Sequence, residues 1–178
     1  MNNVKMVVVF GFVTALAGCD AVEVVDRQAV LNAPFEGPGW DSKASKPKDE
    51  TPRRVVVAFT HLMLPNKAKA HQEFWDVMTP IRERLGKQAG LIGYATRVSL
   101  DLSEDWTLSV WENEEAMYDY VLGEEHMDAV KRLESYATGG WVSHIETDLN
   151  AIPTIEDVPE LVRSHGRKAW PHVAEEAR

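Results

Sequence analysis

The order of strand-like and helix-like segments limits the possible folds of this chain more than any other feature. Residues 55–64, 91–100, 106–112 and 141–149 are rich in apolar and β-branched residues, which is typical of strands. Residues 67–88 and 113–138 place apolar residues at helical spacing. The order β-α-β-β-α-β predicts an α+β fold, a ferredoxin-like subunit with an antiparallel sheet ordered 4-1-3-2 and both helices on one face.

The predicted strands are apolar on both faces, so the sheet needs to be covered on both sides. On the third strand, Trp106, Leu108 and Val110 form one apolar face, and Trp111 belongs to the other. The two helices cover one face, and no other segment is identified as a cover for the second. The sequence therefore predicts a homodimer in which the partner subunit covers the second face.

The N-terminus has the pattern of a lipoprotein signal peptide, residues 1–18. Residues 6–16, MVVVFGFVTAL, form an apolar run that is too short to span a bilayer but suits a secretory signal. The motif LAGC follows and resembles a lipobox, which predicts lipidation of Cys19, the only cysteine of the chain. The alternative is an ordinary secretory signal with an unrelated cysteine.

The predicted organisation is a lipid-anchored domain on a tether. Residues 19–53 mix Pro, Gly, Ser and charges and are expected to form a flexible tether. The ferredoxin-like domain spans 54–149, and 150–178 is a C-terminal extension with a short helix. Asp20 resembles the retention signal of Gram-negative lipoproteins, which implies the periplasmic face of the inner membrane.

The charge balance argues against one class of partner. The chain has 19 basic and 28 acidic residues, a formal net charge of −9. Nucleic-acid binding requires lysine and arginine to neutralise phosphates, so no nucleic-acid partner is expected. The predicted attachment to the membrane is through the lipid anchor alone, because anionic lipid would repel such a chain.

Residues 108–132, LSVWENEEAMYDYVLGEEHMDAVKR, resemble the strand-to-helix segment of the dimeric α+β barrel superfamily. This superfamily includes the antibiotic biosynthesis monooxygenases and the heme-degrading monooxygenases. The resemblance covers roughly residues 54–166 and extends to the tail IPTIEDVPELVRSHG. It implies two subunits whose sheets press together into a barrel, with an apolar substrate or heme between sheet and helices.

The resemblance does not extend to the heme-degrading residues. Trp111 matches the tryptophan that ends the third strand of these enzymes. Their asparagine falls near Thr60, and their iron-ligand histidine falls near Val130, with His126 one turn earlier. Heme degradation is therefore not expected, and no cofactor is predicted.

Trp111 is the most promising wall of a pocket, since an indole can stack on a flat ligand, although it could equally pack a strand-to-helix corner. Thr60, Phe74 and His144 are further candidates for ligand contact. His126 is a candidate acid or base, and the alternative is a partly exposed residue near a helix start.

His61 is the second candidate base. In the predicted pairing it would be a cross-strand neighbour of His144, and with Glu146 and Asp148 the two could form a metal-like set. The alternative is that HIETD is the solvated face of an edge strand. No compact ligand spacing supports a metal, so no metal site is predicted.

Two functions are consistent with these features. The first is a membrane-tethered monooxygenase-like enzyme that oxidises a small aromatic or apolar molecule without metal or flavin. The second is a non-catalytic periplasmic lipoprotein that binds a small ligand or a partner protein. An enclosed cavity with a titratable group beside Trp111 would favour the first, and a filled interior the second.

Overall fold

The computed structural model describes residues 30–170 of the 178-residue chain. The predicted signal peptide, Cys19 and residues 171–178 lie outside this part. Within it, no helix has the length and apolar character needed to cross a membrane.

The strands and helices follow one another in an order that contains the predicted one. They are β1 (Val30–Asn32), β2 (Trp40–Asp41), β3 (Lys46–Pro47), β4 (Arg54–Met63), α1 (Ala68–Leu85), β5 (Leu91–Ser99), β6 (Glu104–Trp111), α2 (Glu114–Val121), α3 (Glu124–Lys131), α4 (Leu133–Tyr136), β7 (Gly139–Asp148), α5 (Val158–His165) and β8 (Arg167–Trp170). Short 3-10 helices at Leu149–Ala151 and Ile155–Asp157 connect β7 to α5.

The central four strands confirm the predicted ferredoxin-like, α+β fold. They are ordered β5-β6-β4-β7 and pair antiparallel throughout, which is the predicted 4-1-3-2 arrangement read from the other edge. Two strands that were not predicted extend this sheet, β1 beside β5 and β8 beside β7. Strands β2 and β3 form a separate hairpin.

The helices on the first face follow their sequence signals, with one difference. Asn113 caps α2 as expected, because its side chain accepts a hydrogen bond of 2.9 Å from the backbone N–H of Ala116. The predicted second helix is divided into α2, α3 and α4. Gly123 precedes α3 in an extended conformation, and Arg132 separates α3 from α4.

The second face of the sheet, opposite α1–α4, is covered by the chain itself. Val57, Phe59, Leu108 and Val110 are each 0% exposed. Their cover consists of residues from both ends of the described chain: Val30, Phe35, Trp40, Leu149, Ile152, Ile155, Val158, Leu161 and Val162. The inference that no segment of this chain covers the second face is therefore wrong, and it was the basis of the homodimer prediction.

Part of the predicted tether is folded onto the sheet. Residues 30–53 are here called the N-terminal arm. Its first part, residues 30–39, runs antiparallel along the outer edge of β5 and forms backbone hydrogen bonds with Thr96, Tyr94 and Ile92. Phe35 packs edge-on against Trp40, with ring centroids 4.5 Å apart. The expectation of a flexible tether is wrong for this arm, because Val30, Phe35 and Trp40 pack against the second face.

Candidate functional site

A cavity of about 680 Å³ lies between the first face of the sheet and helices α1–α4. This volume falls within the range of about 300–1,000 Å³ that is typical of small-molecule sites. The helices contribute an apolar roof that includes Met78, Ile81, Leu85, Met117 and Leu133. The interior of the domain is therefore not filled, and the cavity is large enough to hold a small molecule.

The floor of the cavity carries hydroxyl groups on neighbouring strands. Thr96, Thr107 and Thr60 are direct cross-strand partners on β5, β6 and β4. The hydroxyl oxygens of Thr60 and Thr107 are 2.5 Å apart and share a hydrogen bond. Thr60, a predicted ligand contact, therefore lines the cavity as expected, and the floor offers hydrogen bonds beneath an apolar roof.

Trp111 is both a wall of the cavity and part of the core. It lines the cavity and is only 1% exposed. Its indole N–H donates to the Ser109 hydroxyl at 2.9 Å, and its ring lies 5.3 Å from that of Tyr120. The two alternatives for this residue are thus not exclusive, since the hydrogen bond fixes the indole as a rigid boundary.

Asp105 is the titratable group of the cavity that the sequence reasoning missed. It is 5% exposed, it lines the cavity, and burial raises the pKa of its carboxyl to about 7 against an opposing effect of the Arg82 guanidinium. Among the described residues, no donor is found within hydrogen-bonding distance of its carboxyl, and no hydrogen bond contributes to its pKa shift. A carboxyl in this state can accept a proton near neutral pH, as a general base requires.

Asp105 had a signal in the sequence. Asp105, Thr107, Ser109 and Trp111 alternate along one strand, so the face that contains Trp111 must contain Asp105. A search for catalytic groups among the histidines alone overlooks it, because an aspartate at the start of a strand is usually a solvated turn residue.

Arg82 supplies a positive charge at the Asp105 end of the cavity. It lies on α1, lines the cavity and acts on the Asp105 carboxyl through space. Within the described residues, Arg82 forms no ion pair with any carboxylate. A base and an unpaired cation therefore face one apolar space, an arrangement that suits a substrate which becomes an anion.

His126 also lines the cavity, in agreement with its selection as a candidate. Burial lowers the pKa of its imidazole, and the Val121 backbone carbonyl opposes this effect. Its ring lies 5.4 Å from that of Tyr120, and its Nδ1 atom is buried without a hydrogen-bond partner. His126 is also partly exposed in the first turn of α3, so the two alternatives for this residue are not exclusive.

His61 lies on the second face of the sheet and cannot act as a base in this cavity. Its ring is stacked between Trp106 and Trp141, at centroid distances of 4.8 Å and 5.3 Å. It also shares a hydrogen bond of 2.9 Å with Glu104. The selection of His61 as a base failed because odd-numbered residues of β4 face away from the helices.

Of the predicted ligand contacts His144 and Phe74, only His144 lines the cavity. His144 lines the cavity, hydrogen-bonds Glu114 at 3.2 Å and meets the edge of the Tyr118 ring. Phe74 is 1% exposed in the helix-side core and is not one of the lining residues. His144 is therefore placed for ligand contact and Phe74 is not.

The metal-like set of histidines is not assembled. His144 is the cross-strand partner of Ala58, and His61 is the partner of Trp141. The two imidazoles lie on opposite faces of the sheet, so the expectation that they are neighbours is wrong. The described residues contain no group of three or more side chains that could hold a metal ion.

The cavity residues do not fit a heme. Val130, at the position that the resemblance assigns to the iron ligand, lines the cavity with a side chain that has no donor atom. The nearest histidine, His126, has its ring packed beside Tyr120, with a buried Nδ1 atom. Heme chemistry therefore has no ligand at the expected place.

Comparisons with known proteins find similarity to solved structures only. No family model matches the chain, and no curated protein matches it. The fold is similar to protein SO0527 from Shewanella oneidensis, at 11% identity and a TM-score of 0.48, over 55% of this chain and 98% of that one.

Two other similar structures have names that mention oxygenases. One is a protein from Deinococcus radiodurans provisionally described as an antibiotic biosynthesis monooxygenase, at 16% identity and a TM-score of 0.46, over 52% of this chain and 91% of that one. The other is a mutant of SnoaB, a cofactor-independent oxygenase from Streptomyces nogalater, at 16% identity and a TM-score of 0.41, over 52% of this chain and 90% of that one. At such identities, the fold class of this chain rests on its own strand order.

Proposed function

We propose that this domain is a cofactor-independent oxygenase that acts on a small aromatic or otherwise apolar molecule with an acidic C–H or O–H group. The observation that carries the proposal is Asp105, a buried carboxyl without a hydrogen-bond donor, at one end of a roofed apolar cavity. Perturbed titratable groups in such cavities are candidates for catalysis.

The chemistry needs a substrate that supplies its own electrons. Asp105 removes a proton from the substrate, and the resulting enolate or phenolate anion transfers electrons to dioxygen and forms a carbon-bound hydroperoxide. Loss of water then leaves a carbonyl, so that R₂CH₂ and O₂ become R₂C=O and H₂O. The protein supplies a base, a cation and a space from which water is excluded.

Each cavity residue has a defined part in this scheme. Asp105 is the base, and Arg82 stabilises the negative charge that develops on the substrate oxygen. The hydroxyls of Thr60 and Thr107 orient substrate oxygens on the floor, and Trp111 closes one end as a flat wall. His126, whose pKa is lowered by burial, remains neutral and acts as a hydrogen-bonding wall.

Anthrone is a suitable probe, because its CH₂ group is acidic and its oxidation product, anthraquinone, absorbs differently. We expect the protein to increase both oxygen uptake and anthraquinone formation, and Asp105→Asn to reduce the rate by about 10²–10⁴-fold, the usual contribution of a general base. Asp119→Asn on α2, away from the cavity lining, is the matched control and should keep the full rate.

The second candidate function is a non-catalytic module that binds an apolar molecule in the same cavity. The observation that favours it is the predominance of apolar residues in the roof over α1 and α2. Saturable quenching of tryptophan fluorescence by anthrone that is lost in Trp111→Phe, with oxygen uptake equal to that of buffer alone, would support this function and contradict oxidation of anthrone.

The location of the domain is part of the proposal. The lipoprotein motif at Cys19 would tether it to the periplasmic face of the inner membrane. A substrate that partitions into the bilayer would then be concentrated beside the cavity. Fractionation of cells that produce the full chain tests this location.

A further inference from the structure

Glu36, in the N-terminal arm, contacts a residue of the cavity wall. The Tyr94 hydroxyl donates to Glu36 Oε1 at 2.7 Å, and the two residues also exchange backbone hydrogen bonds of 2.7 and 2.9 Å. Tyr94 lines the cavity from β5. The arm therefore reaches the candidate site, although it lies outside the four-stranded core.

The backbone of the arm fixes where the Glu36 carboxylate lies. Glu36 and Tyr94 are partners in an antiparallel bridge, so their side chains project from the same face of the sheet. The backbone N–H groups of Ala33 and Gly39 donate to β5 on either side of this bridge, at 2.8 and 3.0 Å. The contact between the two side chains therefore follows from the register of the arm on β5.

The Tyr94 hydroxyl has one proton, and Glu36 accepts it. A phenol donates one hydrogen bond and can accept others, and a hydrogen bond to a carboxylate is stronger than one between neutral groups. Burial, and after it the Glu36 carboxylate, raises the pKa of Tyr94, so the phenol keeps its proton at neutral pH. A ligand in the cavity therefore meets the Tyr94 oxygen as an acceptor and has to supply the proton itself.

Glu36 also brings a negative charge to this part of the cavity wall. The ion pairs formed within residues 30–170 do not include Glu36. A carboxylate of a ligand that approached Tyr94 would approach this like charge as well, which is unfavourable. The pair of Glu36 and Tyr94 thus favours a neutral O–H or N–H group of a ligand over an anion.

This pair is well separated from the proposed base. Tyr94 is the cross-strand partner of Ser109, and Asp105 is the partner of Val98. Ser109 and Asp105 are four residues apart on β6, which corresponds to about 13 Å along a strand. A ligand that extends from Asp105 to Tyr94 would therefore hold its reacting group and its recognised group at opposite ends.

We propose that Glu36 is a positioning residue that acts through Tyr94 and makes this end of the cavity selective for a neutral hydrogen-bond donor of the ligand over a carboxylate. Glu36 orients the Tyr94 hydroxyl toward the arm, and the phenol oxygen remains as an acceptor. The inference rests on the proposed function in one respect, that the cavity binds a small molecule. It adds the class of group that is recognised, and its test needs no turnover.

Two probes of similar shape separate this role from a structural one: 2-naphthol is a neutral donor, and 2-naphthoate is an anion. Binding is followed by the indole N–H resonance of Trp111 in the full chain carrying Cys19→Ser, assigned by its loss in Trp111→Phe. Because Trp111 lines the cavity, this resonance reports binding there. General loosening of the wall would change both dissociation constants alike, whereas a change in their ratio identifies recognition of the donor.

Glu36→Gln should lower the Kd of 2-naphthoate relative to that of 2-naphthol by at least about threefold, because the charge is lost and a weaker bond lets the Tyr94 hydroxyl turn to the ligand. Tyr94→Phe should raise the Kd of 2-naphthol by a similar factor without lowering that of 2-naphthoate, since the acceptor is lost and the charge remains. Glu50→Gln, which removes an arm carboxylate that pairs with Lys46, is the matched control and should leave the ratio unchanged.

A double variant shows whether the effect passes through Tyr94. In the Tyr94→Phe background, Glu36→Gln should change the ratio less than it does in the unmodified chain. An equal change in both backgrounds, an unchanged ratio in Glu36→Gln, or failure of both probes to bind would overturn the inference. The expected ratios in a protein that takes up no oxygen with anthrone would support the role of Glu36 and contradict the proposed oxygenase alone.

Discussion

The ring of Phe35 occupies the space that a side chain at Gly93 would need. A β-carbon at position 93 would lie 2.2 Å from Phe35 Cε1, closer than two such atoms can approach. Gly93 follows an irregularity in the pairing of β5 with β6, and Phe35 belongs to the cover of the second face. The arm can therefore dock on β5 only because position 93 is a glycine, which leaves room for the Phe35 ring.

Gly93→Ala should detach or displace the arm at Phe35. We expect the free energy of unfolding to fall by about 1–3 kcal/mol, the usual cost of overpacking a core. Urea denaturation measures it. Gly86→Ala is the matched control, since its β-carbon would meet its nearest neighbour at 3.9 Å, and an unchanged stability in both variants would contradict this account of docking.

Deletion of residues 150–178 should expose the second face. The truncation removes Ile155 and Val158, which cover Phe59 and Leu108, and an apolar face of this kind exceeds what soluble monomers usually expose. We expect the intact chain to sediment as a monomer and the truncated chain to self-associate. An intact chain that forms a stable dimer would retain the homodimer prediction, with its interface on another surface.

Asp105→Asn should stabilise the protein at neutral and alkaline pH. The folded-state pKa of about 7 lies above the ordinary value of 3.8, so the folded state binds more protons than the unfolded state between these values. Stability therefore falls as pH rises through this range, by about 1.4 kcal/mol for each pKa unit of difference. Asp105→Asn has no carboxyl to ionise at this position, so its stability does not fall in this way as the pH rises.

Thermal or urea unfolding across about pH 4.5–8.5 measures this linkage. The difference between Asp105→Asn and the unmodified chain should be largest at the alkaline end and shrink toward the acid end. A constant difference would show that Asp105 does not titrate abnormally. Asp119→Asn again serves as the surface control.

Cys19→Ser should abolish acylation and release the protein from the membrane. The motif LAGC after a short apolar run is the reason for this expectation. Mass spectrometry of the mature protein and fractionation of the cells provide the measurement. An unmodified chain that is soluble and unacylated would contradict the lipoprotein assignment.

The strand order could be predicted because each element carries its own local signal. Period-two and helical spacing identified β4, α1, β5, β6 and β7, and Asn113 marked the start of α2. The arm and β8 could not be identified in this way. Their few strand residues form structure only against β5 and β7, so the decisive information lies far away in the chain.

The candidate site could be predicted in part for the same reason. Trp111 and Thr60 were found, since each lies on a strand whose inward face is readable. His61 was misplaced because apolar residues on both faces of β4 conceal which face meets the helices. Asp105 was overlooked because an aspartate at the start of a strand resembles a turn residue; alternation along β6 places it on the face of Trp111 but does not reveal that it is buried.

The short outer strands have a consequence for behaviour at high concentration. The two long strands β5 and β7 would present open hydrogen-bonding edges to neighbouring molecules if β1 and β8 were absent. Beyond β1, the arm continues this protection with bonds from Ala33 to Thr96 and from Gly39 to Ile92. The chain thus carries its own safeguard against edge-to-edge aggregation, which would matter most for molecules crowded on a membrane surface.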